Sequence, residues 1–118
     1  MKPQIKRVYE SPEKSDGKRI LVDRLWPRGL KKEDAAVDVW LKEIAPSTEL
    51  RRWYHGGNGS WEEFRKRYLR ELDHNPEAVE QLREELRGKA TLLYGVKDTE
   101  HNHARILVEY LGEKPTHT

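Results

Sequence analysis

Cysteine is absent from the chain, which excludes disulfides, thiolate metal sites and cysteine nucleophiles and fits a reducing compartment. Any chemistry must use oxygen and nitrogen groups. Long apolar runs are missing too. Nothing approaches the roughly 18 residues needed to cross a bilayer, and the opening Met1-Lys2-Pro3-Gln4 lacks the hydrophobic stretch of a secretion signal. A cytoplasmic protein with no membrane partner is the expectation. The sequence holds no Gly-rich phosphate loop, no Walker pattern, no internal repeat and no low-complexity segment. It also lacks an excess of one charge: 23 basic and 21 acidic residues leave +2. The balance argues against a polybasic or histone-like binder, and electrostatic steering must come from local clusters.

What is present suits one folded domain over residues 1–118. A chain of 118 residues can bury a single modest core. Charged residues make up 37% and mean hydropathy is −1.03, yet apolar stretches recur at regular intervals, which argues against disorder.

Ile5 to Glu10 alternates apolar and polar residues and predicts a first strand, followed by a loop over Ser11 to Gly17. Arg19 to Arg24 predicts a second strand whose continuous Ile20-Leu21-Val22 centre implies cover on both faces. Leu30 to Ala35 reads as a helical turn. Val37, Val39 and Leu41 give a third strand candidate, with a helix over Val37 to Ile44 as the alternative. Ser47 after Pro46 predicts an N-cap for a helix carrying Leu50, Trp53 and Tyr54, stopped by Gly56-Gly57, and Gly56 to Gly59 reads as a connector. Ser60 and Glu63 form a capping-box pattern ahead of the stripe Trp61, Phe64, Tyr68 and Leu72. Asn75-Pro76 opens a further helix with Val79, Leu82 and Leu86 buried, closed by Gly88. Ala90 to Val96 is the clearest buried strand. It passes through Lys97-Asp98-Thr99 straight into a helix carrying Ala104, Leu107, Val108 and Leu111, which Gly112 ends before a loose tail over Lys114 to Thr118. Strands separated by helices predict a small three-layer α/β domain with a mostly parallel sheet of about four strands.

In open α/β sheets ligands gather beyond the carboxyl ends of the strands. The residues that follow the predicted strands are Tyr9; Asp23, Arg24, Trp26 and Arg28; Ser47 and Arg51; and Lys97, Asp98, His101 and Asn102. If the strands are parallel, these groups share one rim. Arg24, Arg28, Arg51 and Lys97 then outweigh Asp23 and Asp98, and the surplus calls for an anion, with helix amino termini near Ser47 and Thr99 adding backbone donors. The competing reading is a set of structural salt bridges. Asp23 and Asp98 are the candidate acid–base groups, with His55 and His101 as further choices, though an aspartate at a strand-to-helix junction also serves as a cap. His101 and His103 stand two apart on a helix and do not suit a shared metal, so no metal and no cofactor is called for. Ser47 also reads as a cap, and Tyr9 and Tyr94 as packing aromatics. Trp53 and Trp61 lie on helical stripes and read as core, whereas Trp26, between arginines in a loop, can stack on a planar ring.

The string Val22-Asp23-Arg24-Leu25-Trp26-Pro27-Arg28-Gly29 resembles the YeaO-like family, the domain of unknown function 488. The likeness continues through Trp40-Leu41-Lys42, Ala45-Pro46-Ser47, Leu50-Arg51-Arg52-Trp53, Phe64 to Leu72, Leu92-Leu93-Tyr94, Lys97-Asp98, His101-Asn102 and Ala104. The resemblance implies a compact Rossmann-like fold and no settled activity. Labels such as transcription regulator or porphyrin methyltransferase, attached to some members, find no helix-turn-helix and no Gly-rich cofactor loop here. The expected function is binding of an anionic small molecule, a nucleotide or phosphorylated metabolite, at the strand ends, with catalysis open. A nucleic-acid-binding module and a non-catalytic protein-interaction subunit are the alternatives.

Overall fold

The computed structural model describes residues 3–57 and 59–113. The apolar strand centres assemble into one sheet of order β1-β4-β2-β3, formed by β1 (Gln4–Arg7), β2 (Lys18–Leu21), β3 (Val39–Trp40) and β4 (Ala90–Tyr94). Every pairing is parallel. In register, Ile20 lies opposite Leu92 and Leu21 opposite Leu93. Because successive residues of a strand face opposite sides, Ile20 and Leu92 join one core and Leu21 and Leu93 a second. All four are fully buried, the arrangement that the unbroken apolar runs predict.

The two faces are covered unequally. The larger core lies under α2 (Thr48–His55), α3 (Trp61–Asp73), α4 (Pro76–Glu85) and α5 (His103–Glu113). Over the other face, among the described residues, the one-turn α1 (Lys32–Ala35) and the loop before it bring Trp26, Leu30, Val37 and Trp40 around Val8, Leu21, Ala35 and Leu93. The sheet is thus the middle of three layers.

Local chemistry sets the helix ends. Ser47 Oγ accepts from Leu50 N at 3.1 Å and Ser60 Oγ from Glu63 N at 3.2 Å, so both expected caps form. The Glu63 carboxylate runs along its helix to Arg67 at 3.0 Å, leaving the capping box half formed. Pro76 occupies the first turn of α4 as expected, while Asn75 donates to Glu43 O at 3.0 Å and leaves that helix without a side-chain cap.

The structure differs from the sequence reading at several element ends, β4 among them, which stops at Tyr94 and not at Val96. The first two strands end at Arg7 and Leu21, short of the expected Glu10 and Arg24, and β3 shrinks to two residues at the sheet edge. The helix after β4 begins at His103, because Asp98 to Asn102 form a turn, and it runs through Gly112 to Glu113. The tail over Lys114 to Thr118 and Asn58 of the connector lie outside the described residues. Among the described residues no helix is long and apolar enough to cross a membrane.

A buried ionic network stands beside the amino-terminal end of β2. Asp16, 1% exposed, accepts from Lys6 Nζ at 3.0 Å, Arg19 Nη1 at 2.6 Å and Glu13 N at 3.0 Å. Arg19 gives its remaining donors to Ala36 O (3.1 Å) and Ala35 O (2.9 Å). Burial raises the Asp16 pKa, but the Glu13 N–H and the two cations outweigh it and hold the carboxyl below its usual range. Gly17 next to it has φ +66° and no room for a side chain, since a Cβ would stand 2.4 Å from Lys89 O.

Candidate functional site

From the carboxyl end of β2 the chain leaves toward α1 on one face, and from the end of the adjacent β4 it leaves toward α5 on the other. The connections diverge and open a crevice between the two strand ends, the place where α/β sheets bind ligands. A cleft of about 570 Å³ lies there. Ten of the eleven site residues expected from sequence line it: Tyr9, Asp23, Arg24, Trp26, Arg28, Arg51, Lys97, Asp98, His101 and Asn102. The parallel sheet brings them together by delivering every strand exit to the same rim.

Ser47 is the exception. It lines a separate, smaller cavity with Tyr68 and Glu71. Glu71 accepts from Ser47 N at 2.9 Å and from Ser47 Oγ at 2.6 Å. The anion at the amino terminus of α2 is therefore the protein's own carboxylate, and this helix end does not serve the cleft as expected. The α5 end is also engaged internally: Asn102 Oδ1 accepts from Arg105 N at 3.1 Å and Asn102 Nδ2 donates to Asp98 O at 3.1 Å.

The charged residues of the rim fall into two groups. Arg24 donates to Ala45 O at 3.0 Å and Pro46 O at 3.3 Å, tying the end of β2 to the segment that enters α2. Asp98 accepts from Glu100 N (2.8 Å) and His101 N (3.0 Å), closing the turn before α5. The His101 N–H first, then that of Glu100, lower its pKa, which makes it a weak base and a good turn-former. By contrast, the side chains of Arg28, Arg51 and Lys97 have no hydrogen-bond or ion-pair partner among the described residues.

Asp23 sits on the floor of the crevice. Its carbonyl accepts from Trp40 Nε1 at 2.7 Å, which fixes its backbone. The His103 Nε2 lies 3.0 Å from Val22 O and 3.1 Å from Asp23 Oδ1. A carbonyl can only accept, so that nitrogen carries a proton, and its N–H points to Val22; Asp23 Oδ1 is buried with no hydrogen bond of sound geometry. Gly95 at the end of β4 makes the room for this carboxylate, because a Cβ there would stand 2.9 Å from Asp23 Oδ2.

Aromatic rings form the wall that the sequence reading assigns to the core. Tyr54, Trp61 and Phe64 line the cleft, with Tyr54 and Phe64 centroids 4.6 Å apart, Trp61 and Phe64 5.5 Å apart, and the His101 ring 5.0 Å from Trp61. The helical stripe holds the signal: Leu72, Tyr68 and Phe64 are buried and Trp61 only half so, so the stripe runs out of the core into the cleft at the start of α3. His55, a further acid–base choice in the sequence, also lines the cleft, and Leu25 and His103 are among the lining residues not expected there. Trp26 borders the cleft but also donates its indole N–H to Leu30 O at 2.6 Å and packs edge-on against Trp40 at 5.5 Å, which shapes the loop. Trp53 is half-buried against the main core under the Arg67 guanidinium.

The loop that carries Arg28 is anchored from β1. Tyr9 Oη donates to Arg28 O at 2.9 Å, and the Arg7 guanidinium lies 4.9 Å from the Tyr9 ring centroid while donating to Val96 O (2.9 Å) and Gly95 O (3.1 Å). Among the described residues no group of three or more acidic or histidine side chains is placed to hold a metal ion.

A family model described as the inactive DUF488-N3 subclade matches residues 2–118. The uncharacterised protein YeaO of Escherichia coli K12 is 50% identical over 112 residues, covering 94% of this chain and 97% of that protein. An uncharacterised protein of Mycobacterium tuberculosis H37Rv is 41% identical over 111 residues, covering 92% of each chain. No solved structure matches the chain significantly.

Proposed function

The chain belongs to the DUF488 family, and from that premise we propose that it binds an anionic small molecule, a nucleotide or phosphorylated metabolite, in the strand-end cleft without turning it over. The observation that carries this reading is the set of three cationic side chains, Arg28, Arg51 and Lys97, that line one cleft with no protein partner among the described residues. Placing like charges around a concave, partly apolar surface raises the local potential for an anion. Two further points support binding over catalysis. The matching subclade is described as inactive, and Asp98, one of the candidate acid–base residues, is occupied by its own turn.

The test is a thermal-shift screen of inorganic phosphate, sugar phosphates, nucleotides and short oligonucleotides at low and moderate salt. Wild type and Arg28→Ala are compared. A ligand at one hundred times its dissociation constant stabilises by about 2.7 kcal/mol, and that gain is expected in wild type and absent in Arg28→Ala. Stabilisation by oligonucleotides alone, falling steeply with salt in proportion to phosphates contacted, would place the activity on nucleic acid instead. A second reading, a protein partner covering the rim, is favoured by Leu25, which stands 65% exposed at its lip. It predicts no stabilisation by any of these compounds.

A further inference from the structure

Resting on the reading of the cleft as an anion site, we propose that its ligand is a nucleoside monophosphate, held by three kinds of group at once. The first is charge. Arg28, Arg51 and Lys97 have no side-chain partner among the described residues, and among the arginines, lysines and aspartates that line the cleft the four cations, Arg24 included, outnumber Asp23 and Asp98 by two. The excess of two positive charges matches a phosphomonoester, which carries about −1.5 to −2 at neutral pH.

The second is the Asp23 carboxylate. Its side chain is 19% exposed, Oδ1 is buried without a sound hydrogen bond, and Oδ2 accepts none among the described residues. Oδ1 faces His103 Nε2 at 3.1 Å, so Oδ2, with Gly95 clearing its space, is the acceptor left open to a ligand. Such a group calls for an explanation beyond folding. It would repel a bare phosphate and welcome a ligand that carries O–H or N–H donors as well. Sugar hydroxyls and a base edge both supply that chemistry.

The third is the aromatic wall. Trp61 is half-buried at the start of α3, beside Tyr54 and within 5.0 Å of the His101 ring. A sugar phosphate leaves the exposed parts of these rings against water, whereas a planar base can cover them. Charge, open acceptor and rings line the same cleft of about 570 Å³, within the range of small-molecule sites.

Isothermal titration at fixed ionic strength tests the assignment with inorganic phosphate, ribose 5-phosphate, the four ribonucleoside monophosphates and their 2′-deoxy forms. At least one nucleotide is expected to bind about tenfold or more tightly than ribose 5-phosphate. That advantage should vanish in Trp61→Ala, and in Trp61→Leu, which keeps apolar bulk should the smaller side chain unfold the protein. Asp23→Asn is expected to act with opposite signs, weakening the nucleotide about tenfold while strengthening inorganic phosphate, since it removes a repelling charge along with an acceptor. Loss of affinity in the deoxy form assigns the sugar hydroxyls to Asp23, and retention assigns the base edge. Equal, Arg28-dependent binding of phosphate, ribose 5-phosphate and nucleotides overturns the nucleotide assignment and leaves the anion site standing. No binding by any of them overturns both.

Discussion

Two ionic clusters occupy this small sheet, one beside the amino-terminal end of β2 and one at the strand exits, and they treat the same residue types in opposite ways. Around Asp16, every charged group has a near partner: Lys6 and Arg19 reach the carboxylate, and the rest of Arg19 reaches backbone carbonyls. Around Asp23, Arg28, Arg51 and Lys97 have none among the described residues, and the carboxylate meets only His103 Nε2, at 3.1 Å and without a hydrogen bond of sound geometry. Desolvated charge is tolerable when it is fully paired, so the first cluster reads as architecture. The second is the cluster on which the proposed anion site rests.

Substitutions should separate the two clusters, and the largest effect belongs to the first. Asp16→Ala leaves Arg19 and Lys6 without their counter-charge, and a loss of about 3–5 kcal/mol in unfolding free energy is expected by chemical denaturation. Acid should act on the same group. Its folded pKa is depressed, so its contribution is present above the unfolded aspartate value near 3.9 and is lost as pH falls through the lower folded value. Thermal melts taken downward from pH 5 should show that loss, and Asp16→Asn should flatten it. Gly95→Ala pushes on a side-chain tip, so about 1 kcal/mol is expected in stability, with a displaced Asp23 carboxylate read out as altered nucleotide affinity. Arg28→Ala is expected to change stability by no more than about 0.5 kcal/mol while abolishing anion-dependent stabilisation. A large loss of stability in Arg28→Ala would make the rim a second structural cluster and erase the contrast.

The sequence carried the sheet well and the rim nearly as well, for a reason particular residues make clear. Ile20-Leu21-Val22 and Leu92-Leu93 are readable because burial on both faces demands unbroken apolar runs. Once all strands run parallel, the residues after each must meet. Less legible was which neighbours each polar side chain would find. Asp16 looked like a loop residue, since nothing local announces Lys6 and Arg19 folding onto it. Ser47 and Arg24 sat at the right distance from a strand to be site residues, yet Glu71 and the Ala45 and Pro46 carbonyls engage them through tertiary contacts. Trp61 fitted a core stripe by periodicity, which reports a face but not where along the helix that face leaves the core. Asp98 delayed the last helix by capping a turn of its own.

The link from Arg7 through Tyr9 to Arg28 joins three strand exits by hydrogen bonds and a ring contact. A receptor whose loops are already fastened has little ordering left to do when a ligand arrives. Encounter should then be set by diffusion and field, with arrival rates that respond to ionic strength and vary little between related ligands. Discrimination among those ligands should appear in how long each one stays.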